Sequence, residues 1–179
     1  MLKLIAIAVG IVIVAVGAVL IYAATRPDAF RVQRTATMKA SPEKIVAQLE
    51  DFSRWTAWSP WETKDPAMAR TLGGAAKGKG ATYAWAGNGQ VGAGRMEILD
   101  ATPGRVAIQL DFTQPFEGHN IAEFTLRPTA DGATTVTWTM SATTRPFIAK
   151  LVGVFLDMDK MIGADFETGL ANLKRLTEA

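Results

Sequence analysis

The sequence predicts an α+β chain in which an N-terminal membrane-spanning helix precedes one domain of antiparallel strands closed by a long amphipathic helix. Three observations carry this prediction. Leu4 to Tyr22 contains no charged residue. From Leu72 to Met140, Gly and Pro punctuate short runs in which apolar and polar residues alternate, the period of a half-buried strand. Past Arg145-Pro146 the apolar residues recur at the helical period instead.

About 19 uncharged residues at 1.5 Å each nearly cross a hydrocarbon core of about 30 Å. A cleaved secretory signal has a shorter apolar stretch, about 7 to 15 residues, and a small-x-small site; Ala24 would need a small residue where Tyr22 stands. A retained anchor is therefore expected, with residues 1–27 as anchor and linker and 28–179 as the domain. The expected location is a cell membrane, crossed once. Lys3 flanks one end of the span and Arg26, Arg31, Arg34 and Lys39 follow the other. Counted alone these charges favour a cytoplasmic domain. Several belong to the domain itself, though, and long domains cross regardless of charge, so the side is left open.

The formal net charge of +2 is spread along the chain, which leaves no electrostatic footprint for nucleic acid. The absence of cysteine excludes disulfides, thiolate catalysis and zinc fingers.

Phe30 to Met38 alternates as a strand. Ser41-Pro42 then marks a helix start: the hydroxyl accepts from first-turn N–H groups and proline fits the first helical position. That helix continues from Glu43 to Leu49 with Ile45, Val46 and Leu49 inward, and a short helical piece over Asp51 to Trp58 ends before Pro60. Glycines crowd Leu72 to Gly94, where Thr82-Tyr83-Ala84-Trp85 reads as a strand between tight turns. Strands follow over Gly94 to Leu99, Arg105 to Thr113, His119 to Arg127 and Thr134 to Met140. In the last, Val136, Trp138 and Met140 face the core while Thr135, Thr137 and Thr139 face water. Phe147, Leu151, Val154, Phe155, Met158, Ile162, Phe166, Leu170 and Leu173 fall on one stripe of a single long helix, whose apolar face needs a sheet to lie on.

This order resembles the START-like, or polyketide cyclase and dehydrase-like (SRPBCC), helix-grip family, in which a curved antiparallel sheet wraps a long C-terminal helix. The resemblance covers about Arg31 to Thr177. It is carried by Ala40-Ser41-Pro42-Glu43, by Phe52-Ser53-Arg54-Trp55 with Trp58-Ser59-Pro60-Trp61, by Asp65-Pro66, and by Gly94-Arg95-Met96 with the closing helix. The aromatic segment resembles membrane-anchored bacterial members of undefined role. The family implies a cavity for lipids, sterols or polyketides, with a minority of members acting as cyclases, and no catalytic motif transfers onto particular positions.

Within that frame, Trp58, Trp61, Trp85, Arg95, Asp111, Glu123, Trp138 and Met158 are the expected cavity residues. The tryptophans spaced by three suit either a cavity mouth or a plug at one end of the sheet, and plugging is favoured. Gly87-Asn88-Gly89-Gln90-Val91-Gly92 has the spacing of a dinucleotide-binding loop, but a strand rather than a helix follows, so it reads as a hairpin turn. His119 stands alone without a cysteine, which makes a transition-metal site improbable; a half-exposed strand residue is the expected role. Asp157, Asp159 and Asp165 read as a solvated helix face.

The expected function is a membrane-tethered module that binds a small hydrophobic or lipid-like molecule. One alternative is a cyclase or dehydrase using Glu123, Asp111 or His119 as acid or base in an apolar pocket. Another is an accessory subunit with a filled interior. No cofactor or metal is expected, and the sequence names no protein partner.

Overall fold

The structure, a computed structural model, describes residues 1–144 and 146–179. Helix α1 (Leu2–Thr25) is followed by strand β1 (Phe30–Met38), helix α2 (Pro42–Leu49), a 3-10 turn (Phe52–Ala57) and helix α3 (Pro60–Lys64). Strands β2 (Ala69–Gly74), β3 (Ala81–Ala86), β4 (Ala93–Thr102), β5 (Arg105–Gln114), β6 (Gly118–Pro128) and β7 (Thr134–Ala142) come next, then helices α4 (Phe147–Phe155) and α5 (Met158–Glu178). Helix α1 is long and apolar enough to cross a membrane, and of its residues only Ala23 is buried by the rest of the chain.

The strands form one antiparallel sheet in the order β1-β7-β6-β5-β4-β3-β2. Register shifts at Ala93/Gly94 and Ile98/Asp100 in β4 add the local bending that curls such a sheet. Val32, Ile98, Ile108, Phe124, Val136 and Trp138 point into the curve and are buried. The convex face is polar. Cross-strand threonines meet there at 3.1 Å (Thr35 and Thr137) and 3.2 Å (Thr37 and Thr135).

Local signals explain the helix starts. The Ser41 hydroxyl accepts from the Lys44 N–H, and the Asp51 carboxylate accepts from the Ser53 N–H. Helix α3 goes beyond the sequence reading, which stopped at Pro60; Ser59-Pro60 repeats Ser41-Pro42 in sequence, with Pro60 at the first helical position but no hydrogen bond from the helix to the Ser59 side chain. The single long C-terminal helix is also corrected. Leu156 is extended and Asp157 caps a new helix by accepting from the Lys160 N–H at 3.0 Å, so the apolar stripe breaks in two. An N-cap residue inside a continuous stripe is invisible to periodicity. After the break, Phe166, Leu170 and Leu173 are buried against the sheet, whereas no residue of α4 is buried.

Helix α5 lies over β1 and reaches the sheet through two glycines. The Arg34 guanidinium, projecting from the concave face of β1, passes under α5 at Gly163, where a Cβ would collide with it. It donates to Glu167 at 2.7 Å and to Asp159 at 3.1 Å. The hydrogen bond from Arg34 holds the Asp159 carboxyl below the usual carboxylate range. At Gly169 a Cβ would stand 2.8 Å from Cζ3 of Trp138 and 3.1 Å from Cδ of Pro60. Gly169→Ala is therefore expected to destabilise the domain by about 1–3 kcal/mol, the usual cost of overpacking a filled core. Gly10→Ala, with open space around it, should leave the same urea-unfolding midpoint unmoved.

Candidate functional site

The interior is divided by an aromatic cluster centred on Trp138. Its indole stacks on Phe166 of α5, with ring centroids 4.1 Å apart and planes 3° from parallel. Phe124 lies against it at 4.7 Å, and Trp58 and Trp61 meet it edge-on at 5.7 Å each. Trp55 packs on Trp58 at 4.8 Å. Trp55 and Trp58 belong to the 3-10 turn and its cap, where residues three apart eclipse, and α3 carries Trp61.

Beyond this cluster, under β3, β4 and β5, lies a cavity of about 280 Å³. Its sheet wall is Tyr83, Trp85, Met96, Leu110, Phe112, Trp138 and Met140. Helix α5 contributes Met158, Met161, Ile162 and Phe166, and α3 contributes Trp61. Its exposed lining residues, Gly89, Gln90, Gln114, Pro115 and Met161, mark the mouth. Through the pairings Ala86↔Ala93, Ala93↔Gln114 and Phe112↔Gly118, the mouth lies at the end of the sheet where Phe30 pairs with Ala142. Helix α1 attaches at that same end.

Of the sequence-predicted residues, Trp61, Trp85, Trp138 and Met158 line the cavity. Trp58 is buried behind Trp138 and takes the plug role. Arg95, Asp111 and Glu123 point outward, because the strand alternation that turns Met96, Leu110 and Phe124 inward sends their neighbours to the convex face. There Arg95 pairs with Glu97, Glu123 with Arg105, and Asp111 with His119 at 2.8 Å. The cavity-based acid–base set of Glu123, Asp111 and His119 is thus overturned by the register.

Sequence reasoning missed the polar part of the wall. Glu62 of α3 is buried, accepting from Tyr83 Oη at 2.8 Å and from Arg70 Nε at 2.7 Å. Desolvation and the neighbouring Glu62 carboxylate push the Tyr83 hydroxyl well above the ordinary tyrosine value. Lys64 donates to Asp165 at 2.6 Å, so Asp165 belongs to the cavity rather than to a solvated face, and Asp159 is tied to Arg34. Asp157, the cap of α5, stays exposed. Only the Ser59-Pro60 start, which would have placed Glu62 on a helix, could have pointed to this wall.

Gly87 to Gly92 form a hairpin turn beside the cavity mouth, as expected of this loop with a strand rather than a helix after it. Its Asn88 N–H donates to Asp65 at 2.7 Å, and the Trp85 indole donates to the Val91 carbonyl at 3.0 Å. Trp58 and Trp138 differ: their buried indole N–H groups have no acceptor among the described residues. Among the described residues no three His, Asp or Glu side chains gather as a metal site.

The profile of the family described as polyketide cyclase / dehydrase and lipid transport matches residues 29–178. The chain belongs to that family. No functionally curated protein matches it in sequence. Solved structures similar to this family member include the Aha1 dimer of Colwellia psychrerythraea, 22% identical over 83% of this chain and 96% of that one, with a TM-score of 0.58. Another is the Staphylococcus aureus protein SA2116, of unknown function, at 12% identity over 84% and 94% with a TM-score of 0.60. StfQ, a di-domain ARO/CYC of the steffimycin biosynthetic pathway, matches at 11% over 84% of this chain and 51% of that one, with a TM-score of 0.62. At these identities the likeness is one of fold, that of a helix-grip domain.

Two outcomes follow from the Glu62 network. Glu62→Ala removes one partner of a buried pair, for which a loss of about 3 kcal/mol is expected, at the lower end of such effects because Arg70 still reaches solvent. Tyr83 titrates higher folded than unfolded, so its contribution is complete below the ordinary value of 10.0 and is lost as pH rises above it. Thermal unfolding between pH 9 and pH 11, on the order of one unit either side of that value, should show a smaller loss for Tyr83→Phe than for the natural chain.

Proposed function

We propose that this chain is a membrane-tethered binding module that takes a small hydrophobic or amphipathic molecule, lipid-like in character, into the cavity between β3–β5 and α5. One observation carries the reading: an apolar, aromatic and methionine-lined cavity opens at the sheet end to which the apolar α1 is attached. Its volume lies just below the roughly 300–1,000 Å³ usual for small-molecule sites, which favours a single acyl chain or a compact ring system over a large amphiphile. The cavity's charged groups already neutralise one another, Glu62 with Arg70 and Lys64 with Asp165, so a ligand brings apolar surface rather than charge.

A cyclase or dehydrase would need an acid or base free to act on the ligand. Glu62 and Asp165, the carboxylates that line the cavity, are both engaged, which favours binding over chemistry. An accessory subunit with a filled interior fits the open cavity less well.

A dansyl-labelled fatty acid titrated into the full chain in nanodiscs is expected to give saturable emission beyond that of nanodiscs alone. Leu110→Trp, which fills the cavity, should abolish the saturable part. Binding confined to the folded state should also raise stability by about 2.7 kcal/mol at one hundred times Kd. Equal, non-saturable emission from both proteins, with no stabilisation of either, would sink the reading.

A further inference from the structure

We infer that α4 is a second bilayer contact: an interfacial helix lying at the headgroup level beside α1, so that the cavity mouth is held against the membrane surface. This rests on the reading of α1 as a membrane span and goes beyond it, since a tether alone leaves the domain free to tumble.

The helix sequence is Phe-Ile-Ala-Lys-Leu-Val-Gly-Val-Phe. Its one charge is withdrawn from the surface: the Lys150 side chain is 13% exposed and its Nζ lies 2.5 Å from Oδ1 of Asp28, in the linker after α1. What remains outward is apolar. Phe147, Ile148, Phe155 and Leu156 are 47%, 39%, 70% and 50% exposed, and Met161 at the start of α5 extends the patch at 50%. A domain facing only water would leave these exposed apolar side chains, gathered on and just after one short helix, without a partner.

Placement selects the bilayer as that partner. Helix α4 packs against α1, whose buried residue, Ala23, stands near its C-terminal end. Twenty-four residues at 1.5 Å span about 36 Å, more than the roughly 30 Å hydrocarbon core, so the last turn of α1 emerges at headgroup level. Helix α4 meets it there, and the Lys150–Asp28 bond pins the two together. Phe116, 44% exposed between β5 and β6, lies at the same end of the sheet as the mouth. Lacking a cationic face, α4 would draw its affinity from apolar burial rather than from anionic headgroups.

The chain has no cysteine, so single nitroxide labels can be placed without background. Ile13→Cys, Phe155→Cys and Thr137→Cys in the full chain, reconstituted into phosphatidylcholine and phosphatidylglycerol vesicles, report depth through collision with oxygen and with a water-soluble nickel chelate. The expected order places Ile13 in the hydrocarbon, Phe155 at about 5–10 Å into the headgroup–acyl boundary, and Thr137 in water. A Phe155 label as nickel-accessible as Thr137, with Ile13 still embedded, overturns the inference while the tether stands. An Ile13 label in water overturns the tether and the inference together. Spin–spin broadening at Phe155 that grows with protein density would assign the patch to a second copy of the chain, which also overturns it. A Leu156→Asp change in the Phe155→Cys background is expected to lift the label toward water without moving the thermal midpoint, because Leu156 is 50% exposed and outside the core cluster.

Discussion

The contact on which this structure depends is the stack of Trp138 on Phe166. It joins the concave face of the sheet to the closing helix, and the rings of Phe124, Trp58 and Trp61 are set around it. Each such pair adds about 0.5–1.5 kcal/mol beyond its buried area, so the cluster is a concentrated source of stability. It also fixes geometry. Gly169 lets α5 approach until helix backbone and indole touch, and Gly163 lets Arg34 pass beneath the same helix. With α5 drawn onto the β1 side, its N-terminal half only borders the space under β3, β4 and β5. The cavity is what remains between a curled sheet and a helix committed to one half of it.

That arrangement separates two kinds of polar chemistry. On the convex face, Arg95, Glu97, Arg105, Glu123, Asp111 and His119 form exposed pairs, a setting in which such contacts add little stability. At the cavity wall, buried Glu62 accepts from buried Tyr83 and from the partly exposed Arg70, and Lys64 meets Asp165 across the gap between α3 and α5. A wall whose charges are already matched presents an apolar interior. Such a site suits a molecule whose transfer from water or lipid is governed by area rather than by ion pairing.

The apolar helix α1 and the cavity come together through topology. The first residue of β1 pairs with the last of β7, so the end of α1, the start of α4, the β3–β4 turn and the β5–β6 loop all gather at one end of the sheet. The apolar cavity thus opens at the end of the sheet to which α1 is joined. The break at Leu156-Asp157 belongs to the same geometry: it frees α4 to lie beside α1 instead of continuing along the sheet.

Much of this was readable from residues alone. The uncharged stretch from Leu4 to Tyr22, the period-two alternation of Val136, Trp138 and Met140, and the Ser41-Pro42 cap are local signals, and each marks its element because local sterics and capping act over a few residues. The resemblance carried by Ser41-Pro42-Glu43 and the tryptophan segment extended them to a fold. For the strands that carry Trp85, Arg95, Asp111 and Glu123, tertiary structure decided which residues turn inward, since a one-residue change in register exchanges the two faces. That is why Trp85 faces the cavity while Arg95, Asp111 and Glu123 do not. It alone brought Glu62 to Tyr83 and Lys64 to Asp165, pairs separated by 21 and 101 positions in the chain. Contacts between residues so far apart leave no periodic trace in one sequence, because they are set by the closing of the sheet around its helix.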